Sequence, residues 1–183
     1  MPDDPVPVPE GTRPGAAPKD LPKPRPKGEP DKVVQLRDLI EHKLVGMLGG
    51  YAADEHGNYI LGVESARVWI VPAWLPNGAS VVRVFAITNL DVVVSAELTS
   101  YLLAKNLEFV FGSFALDVAQ GAVWFNHNLL GDFLNPEELE ATIAAVAQTA
   151  DRFDDEIKER FGGRLYVDSP DAKIEPPSAP GYL

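Results

Sequence analysis

Apolar side chains recur at helical spacing in three stretches of the chain. In the first, five of them return every three or four positions and form one face: Val33, Leu36, Ile40, Leu44 and Met47. Gly49-Gly50 then predicts the end of this helix. A second helix is predicted to begin after Ser95, whose hydroxyl is a good N-cap. The third has Asn135 as its N-cap and Pro136 at its first position, and it is predicted to end at Phe161, before two glycines.

Five runs of β-branched and aromatic residues predict strands between these helices, at residues 59–61, 67–71, 81–87, 109–116 and 123–129. The pair Asn77-Gly78 lies between the second and third runs and is typical of a hairpin turn. Gly112-Ser113, inside the fourth run, indicates a β-bulge. The predicted order is α-β-β-β-α-β-β-α. It is an α+β fold in which an antiparallel sheet carries its helices on one face.

The predicted strands have more apolar surface than one layer of helices can cover. In residues 81–87 only Arg83 is polar, and residues 68–71 and 122–125 are apolar at every position. Because neighbouring residues of a strand point to opposite faces, both faces of the sheet must be apolar. Either the second face binds a homodimer partner or a client peptide, or another part of the chain buries it. The predicted contacts for a peptide are Trp69, Phe85, Phe109, Phe111 and Trp124, with Arg83 to anchor a carboxylate or a backbone carbonyl.

Proline divides the chain into three parts. Residues 1–30 hold 10 of the 17 prolines and almost no large apolar side chains, which predicts an extended tail. Residues 31–167 hold nearly all the apolar residues and form the predicted domain. Residues 168–183 are proline-rich again and are predicted to be a flexible C-terminal tail. The basic stretch 21–27 reads either as a tether or as a polyproline docking motif.

Composition disfavours several kinds of binding partner and indicates the cellular compartment of the protein. There are 27 acidic and 16 basic residues, for a net charge of −11, which disfavours a nucleic-acid groove. With no cysteine the chain has no disulfide, thiolate nucleophile or cysteine-bound zinc. No apolar run approaches the ~20 residues that span a bilayer, and the N-terminus lacks the apolar stretch of a secretory signal. We therefore expect a cytoplasmic protein that binds neither nucleic acid nor membrane.

The candidate chemistry is sparse. His42, His56 and His127 lie on different predicted elements and form no metal-binding motif, and no nucleophile, base and orienting group come together in the sequence. His127 is best read as a structural group at a strand end, with an unrecognised enzyme site as the remote alternative. We expect no cofactor and no catalysis.

Three carboxylates in the third helix suggest a second function. Asp151, Asp154 and Asp155 are spaced to share one side of the helix, where they could hold Mg²⁺ or Ca²⁺. The alternative function is therefore a signalling or divalent-metal-responsive regulatory protein. Lys158 and Arg160 also lie four residues after acids, so ordinary ion pairs along the helix explain the same pattern.

Short motifs along the core follow a recognisable order: Val81-Val-Arg-Val-Phe-Ala-Ile, Glu97-Leu, Tyr101-Leu-Leu, Asn106, Phe111-Gly-Ser-Phe-Ala-Leu, Val123-Trp, Asn128-Leu-Leu-Gly, Glu137-Glu-Leu, Ala150-Asp-Arg-Phe-Asp-Asp-Glu-Ile and Arg160-Phe-Gly-Gly. Over residues 31–167 the chain resembles actinobacterial proteins of the YbjN-like, type III secretion chaperone-like superfamily, within its peptide-binding members. The resemblance implies the same α-β-β-β-α-β-β-α fold, no catalysis, homodimerisation and binding of extended peptides. We therefore expect a chaperone-like or adaptor module that binds an extended segment of a partner protein as a homodimer.

Overall fold

The computed structural model describes residues 28–54, 56–63 and 65–169 of the chain. Within these residues lie three α-helices, α1 (Asp31–Leu48), α2 (Ala96–Asn106) and α3 (Pro136–Phe161). The strands are β1 (Ala52–Ala53), β2 (Tyr59–Val63), β3 (Ala66–Trp74), β4 (Ser80–Leu90), β5 (Ser113–Asp117), β6 (Ala122–Leu130) and β7 (Arg164–Leu165). Most of the two predicted tails, residues 1–27 and 170–183, lies outside the described residues.

The helix ends follow the predicted signals. Gly49 ends α1 with a positive φ of 72°. The Ser95 hydroxyl oxygen accepts a hydrogen bond of 3.1 Å from the Leu98 N–H at the start of α2. Asn135 caps α3 by accepting from the Glu137 N–H at 2.7 Å. None of the helices in the described part of the chain is long and apolar enough to cross a bilayer.

The strands form a single antiparallel sheet in the order β1-β2-β3-β4-β6-β5, and β7 pairs with the end of β4. The five predicted strands are all present, with β1 and β7 as short additions. The turn between β3 and β4 is the predicted one, since Gly78 has a φ of 83° and the Asn77 side chain accepts from the Ala79 N–H. The α+β fold with an antiparallel sheet is confirmed.

One predicted strand begins later than expected. β5 starts at Ser113, and Phe109 instead places its ring in the core between the sheet and α3. Gly112 is not a bulge. It has a φ of 78°, and a Cβ there would lie 2.7 Å from Phe125, so it shapes the loop that enters β5. The irregularity in the sheet lies in β4 instead, between Ile87 and Asn89.

All three helices pack on one face of the sheet. The stripe of α3 that faces the sheet is buried, as the helical spacing predicts: Leu139, Ile143, Val146, Ala150, Phe153 and Ile157. From the strands, this core takes every second residue, including Val68, Ile70, Val84, Ala86, Val123 and Phe125. The alternate residues of β3, β4 and β6 form a separate cluster on the opposite face, which we call the outer face.

A buried ion pair fixes the start of the domain. The Arg37 Nε atom of α1 lies 2.7 Å from the Glu29 Oε1 atom, and both side chains are almost fully buried. The same guanidinium donates a hydrogen bond from Nη1 to the carbonyl oxygen of Gly57, in the turn before β2. Arg37 therefore ties the segment before α1, the helix itself and this turn together.

Candidate binding face of the sheet

Three large aromatic rings lie together on the outer face. Trp69 of β3 and Phe85 of β4 are directly paired across the two strands, and their rings stack with centroids 5.5 Å apart and an interplanar angle of 1°. The Trp124 ring of β6 lies 5.2 Å from the Phe85 ring, centroid to centroid. We call Trp69, Phe85 and Trp124 the aromatic cluster. The alternation and pairing of the strands bring them together, whereas the sequence named all three as contacts without assigning them to one face.

The aromatic cluster is almost completely shielded from solvent. The exposed fractions are 5% for Trp69, 1% for Phe85 and 6% for Trp124. Tyr166, in the turn after β7, packs its ring against Trp69 with centroids 5.3 Å apart. The guanidinium carbon of Arg67 lies over the Tyr166 ring, 5.5 Å from the ring centroid.

Arg83 lies at the border of the aromatic cluster. Its guanidinium carbon is 5.9 Å from the centroid of the Phe85 ring, and the side chain is only half-buried. Its cross-strand neighbours are Val71 and Asn128. A guanidinium over an aromatic ring places a positive charge at the border of the rings, of the kind that attracts a carboxylate or a backbone carbonyl.

The other two predicted contacts lie elsewhere. The Phe109 ring packs edge-on against Phe114, Phe125 and Phe153, on the helix side of the sheet. Phe111 is 72% exposed and touches only the ring edge of His127 among the described aromatic residues, with centroids 5.5 Å apart. The structure therefore groups Trp69, Arg83, Phe85 and Trp124, and it places Phe109 and Phe111 outside that group.

A second apolar surface was missed by the sequence analysis. Leu107 and Val110, in the loop after α2, are 90% and 87% exposed, and Leu103 of α2 and Phe111 are largely exposed too. We call these four residues the edge patch, because the loop leads into β5, the last strand of the sheet order. The available signal was the apolar series at 107, 110 and 111, but residues 110 and 111 fall within the predicted strand 109–116 and were interpreted as part of it.

The carboxylates of α3 do not converge on a metal site. Asp151 accepts a hydrogen bond from the Ser65 hydroxyl, Asp155 is exposed, and Asp154 is buried with its Oδ1 atom 2.6 Å from the Asp155 backbone nitrogen. In the described part of the chain no three histidine or acidic residues are placed to hold an ion. Burial raises the pKa of Asp154 to about 6, and the charges of Asp155, Asp151 and Asp168 add to this effect. The metal-responsive alternative is therefore not supported.

His127 lies within β6, opposite Val84, and faces the helix side of the sheet. Burial lowers the pKa of His127, with a smaller opposing effect from Glu138. The imidazole packs against the Phe111 ring at mid-strand rather than at the predicted strand end, and its structural role stays a prediction.

The sequence model of one protein family matches residues 34–169, well over half of the chain. That family is described as the T3SS (YopN, CesT) and YbjN peptide-binding chaperone 1 family. The match begins in α1 and ends at Ser169, three residues after Tyr166. No curated protein sequence matches the chain.

Several solved structures share the fold. A chain from the crystal structure of the ExsC–ExsE complex aligns with a TM-score of 0.53 and 20% identity, and the alignment covers 68% of this chain and 95% of that one. A chain from the structure of the HopA1–SchA chaperone–effector complex aligns with a TM-score of 0.55 and 8% identity, covering 69% and 98%. At such low identities the likeness establishes a common fold.

Proposed function

Because the chain belongs to the family of T3SS (YopN, CesT) and YbjN peptide-binding chaperones, we propose that it binds an extended segment of a partner protein on the outer face of its sheet. This family assignment confirms the resemblance that the sequence carries. A peptide-binding chaperone acts by binding, and the chain is not an enzyme. The observation that carries the proposal is the aromatic cluster, which lies on the face away from all three helices.

The aromatic cluster supplies the apolar part of the binding. Trp69, Phe85 and Trp124 are 5%, 1% and 6% exposed, so a partner segment reaches the rings by displacing the side chains that shield them. Paired rings favour side chains that stack or insert edge-on. The partner segment is expected to carry apolar or aromatic side chains at every second position, because an extended chain presents alternate residues to one surface. Trp69, Phe85 and Trp124 are the contacts proposed for these side chains.

Arg83 and Arg67 supply the polar part. Both lie on the outer face, at the border of the aromatic cluster, in a protein whose net charge is −11. A positive local charge beside an apolar surface favours a partner segment that also carries a carboxylate. A basic segment is repelled by these two arginines at the border of the cluster. It is attracted instead by the acidic side chains elsewhere on the surface.

Self-association is proposed at the edge patch. Its exposed apolar side chains lie beside β5, which pairs only with β6 among the described strands. A sheet edge next to exposed Leu and Val side chains is a suitable surface for a second copy of the chain, and burying it removes an aggregation hazard. We assign Phe111 to this surface, whereas Phe109, in the helix-side core, is expected to affect folding when substituted.

Peptide binding is tested with linear peptides selected from a displayed library on the full chain and then titrated by fluorescence anisotropy. Trp124→Leu is expected to weaken binding about tenfold, since an aromatic contact contributes roughly 1–1.5 kcal/mol beyond its buried area. Trp74→Leu is the matched control, because Trp74 lies at the end of β3, outside the aromatic cluster. Arg83→Gln should weaken binding of acidic peptides only. Equal binding by the Trp124 and Trp74 variants would place the site elsewhere.

Self-association is tested by sedimentation equilibrium. The wild-type chain should sediment as a dimer, and Val110→Asp should sediment as a monomer with an unchanged melting temperature, because Val110 is exposed in one copy. Val45→Asp, at an exposed position of α1, is the matched control and should leave the dimer intact. A wild-type monomer at micromolar concentration contradicts this part of the proposal.

A further inference from the structure

Two asparagines interrupt the apolar surface of the outer face. Strand β6 reads AVWFNHNLL, so a polar triplet follows an apolar run. Because alternate residues of a strand share a face, Asn126 and Asn128 lie on the outer face, whereas His127 lies on the helix side. Their cross-strand neighbours in β4 are Phe85 and Arg83. The two amides therefore lie directly beside the aromatic cluster and its cationic border.

This part of the outer face is open to solvent. Asn128 is exposed, and Leu130, the next outer-face residue of β6, is 61% exposed. Ala115 of β5, on the other side of β6, is exposed as well. At the opposite end of β6 the Trp124 ring is only 6% exposed. A partner segment can reach Asn128 and Leu130 without displacing any side chain of the described chain.

Both amides are able to bind a second backbone. The Asn126 Nδ2 atom donates to the Ser113 carbonyl oxygen of β5 at 2.9 Å, and this bond orients the amide on the face. Its second N–H and its Oδ1 atom can still pair with another chain. The Asn128 amide makes no hydrogen bond to any residue of the described chain. Each asparagine can therefore offer one donor and one acceptor.

The spacing of the two amides matches the repeat of an extended chain. A strand rises about 3.3 Å per residue, so Asn126 and Asn128 are about 6.6 Å apart along β6. An extended segment that runs along β6 has the same repeat, and the N–H and C=O of every second residue point to one side of it. Each asparagine can accept from the N–H and donate to the C=O of one such residue. The pair thus recognises backbone, whatever the side chains of the segment.

The same placement selects a side-chain pattern. A segment whose backbone rests on the two amides points alternate side chains towards β4, where the outer residues are Phe85, Arg83 and Val81. In this order they are apolar, cationic and apolar, at the repeat of the segment itself. Leu130, the cross-strand neighbour of Val81, enlarges the second apolar position. A segment that carries an acidic side chain between two apolar ones, at alternate positions, is complementary to this row.

We infer that Asn126 and Asn128 bind the backbone of an extended partner segment that lies along β6, with an acidic side chain at Arg83 between two apolar side chains. This inference rests on the proposed function, and it adds the residues that orient the segment and the sequence pattern that the face selects. Backbone pairing accepts different segments, because it does not depend on their side chains. Arg83 restricts the middle position of the pattern.

The first test observes the two amides directly. The synthetic peptide Ser-Leu-Thr-Glu-Thr-Leu-Ser, with blocked ends, is titrated to millimolar concentration into the isotope-labelled full chain and followed by heteronuclear NMR. The side-chain NH2 signals of Asn126 and Asn128 should shift, and those of Asn58 and Gln148, which lie away from β6, should not. A peptide with lysine in place of glutamate should bind more weakly.

Methylation of the peptide backbone tests the hydrogen bonds. One peptide is N-methylated at its two leucines and its glutamate, and a second at its two threonines. Because alternate N–H groups of an extended chain point to opposite sides, only one of these peptides should lose binding. The other is its matched control, since its methyl groups point away from the asparagines. Equal binding by both peptides, or loss of binding by both, overturns the inference.

Variants of Asn128 separate backbone pairing from apolar contact. Asn128→Ala should weaken binding of the synthetic peptide about tenfold, because two hydrogen bonds are lost, and its melting temperature should be unchanged at this exposed position. Asn128→Leu should weaken binding as well. Gln148→Ala, which removes an exposed amide from α3, is the matched control and should bind normally. Tighter binding by Asn128→Leu would show that the face binds through apolar contact alone, against the inference.

The two proposals fail in distinguishable ways. If the synthetic peptide does not move the asparagine signals, the inference is wrong. The proposed function still stands in that case, provided that library-selected peptides bind and lose affinity in the Trp124→Leu variant. If no library-selected peptide and no synthetic peptide binds, the proposed function fails and the inference fails with it.

Discussion

Replacement of Asp154 by asparagine tests the electrostatics of α3. The side chain is buried against the sheet, and its burial, together with the charges of Asp155, Asp151 and Asp168, raises its pKa from 3.8 to about 6. Asparagine has the shape of the protonated acid, and its side-chain oxygen can still accept from the Asp155 N–H. The change therefore removes a charge without removing the hydrogen bond.

The sign and size of the effect follow from the two pKa values. Between them the folded protein holds a proton that the unfolded chain has released, so stability falls as the pH rises from about 4 to 7. A difference of about two pKa units makes ionised Asp154 destabilising by about 3 kcal/mol above this range. The penalty is absent below the unfolded-state value, where both states are protonated.

Asp154→Asn is therefore expected to be more stable than the wild type by about 3 kcal/mol near pH 7.5, and by less than about 1 kcal/mol near pH 4. Urea unfolding followed by far-ultraviolet circular dichroism at a series of pH values measures this difference. Asp155→Asn, on the exposed side of the same turn, is the control; it removes only one of the charges that act on Asp154 and leaves its burial, so its gain near pH 7.5 should be much smaller. A gain that is the same at both pH values, or no gain near pH 7.5, refutes the reasoning.

Two further predictions concern folding. Arg37→Leu should destabilise the protein by about 3–5 kcal/mol in urea unfolding, because it leaves the Glu29 carboxylate buried without its partner. Adding Glu29→Gln should recover much of the lost stability. If nothing is recovered, the loss comes from packing and not from the unpaired charge. Gly112→Ala should lower the melting temperature, because the new Cβ collides with the Phe125 ring and the backbone there has a positive φ. Gly46→Ala, in α1, has open space around its new Cβ and should raise the melting temperature slightly. Equal shifts for the two variants would contradict this account.

The helices could be predicted from the sequence because their signals are local. The apolar stripe of α3, the Asn135 cap and the glycines after Phe161 all act within a few residues of the backbone that they shape. The hairpin at Asn77-Gly78 is local in the same way. These elements need no knowledge of distant residues, and their observed bounds lie within a residue or two of the predicted ones.

The start of β5 could not be predicted because a distant contact determines it. Asn106, at the end of α2, uses its side-chain amide to bond both the N–H and the carbonyl of Phe114, at 2.7 and 3.1 Å. This pair of bonds ties the strand to the helix and leaves residues 107–112 as a loop. Phe109 then reaches the core through ring contacts from three elements, and Phe111 is left exposed. From strand composition alone, Phe109 and Phe111 were both predicted to be peptide contacts.

The aromatic cluster could be predicted in part. Alternation places Trp69 and Phe85 at positions whose strands pair directly, but the register that brings Trp124 within 5.2 Å of Phe85 is a tertiary property. The contact between Tyr166 and Trp69 could not be predicted either, because Tyr166 follows β7, a strand of two residues with no periodicity to detect.

The two interpretations of the apolar outer face, a partner surface and internal burial, are compatible. Three rings left bare would expose on the order of 500 Å² of apolar surface, as large as the largest patch of a typical monomer. At roughly 25 cal/mol per Å² the exposure would cost about 12 kcal/mol, comparable to the whole stability of a domain. A face built to bind an extended segment therefore needs a cover when no partner is present. Tyr166 supplies part of that cover in the described chain, and it sets a threshold, since only segments that bind the rings more strongly than the residues that shield them will displace those residues.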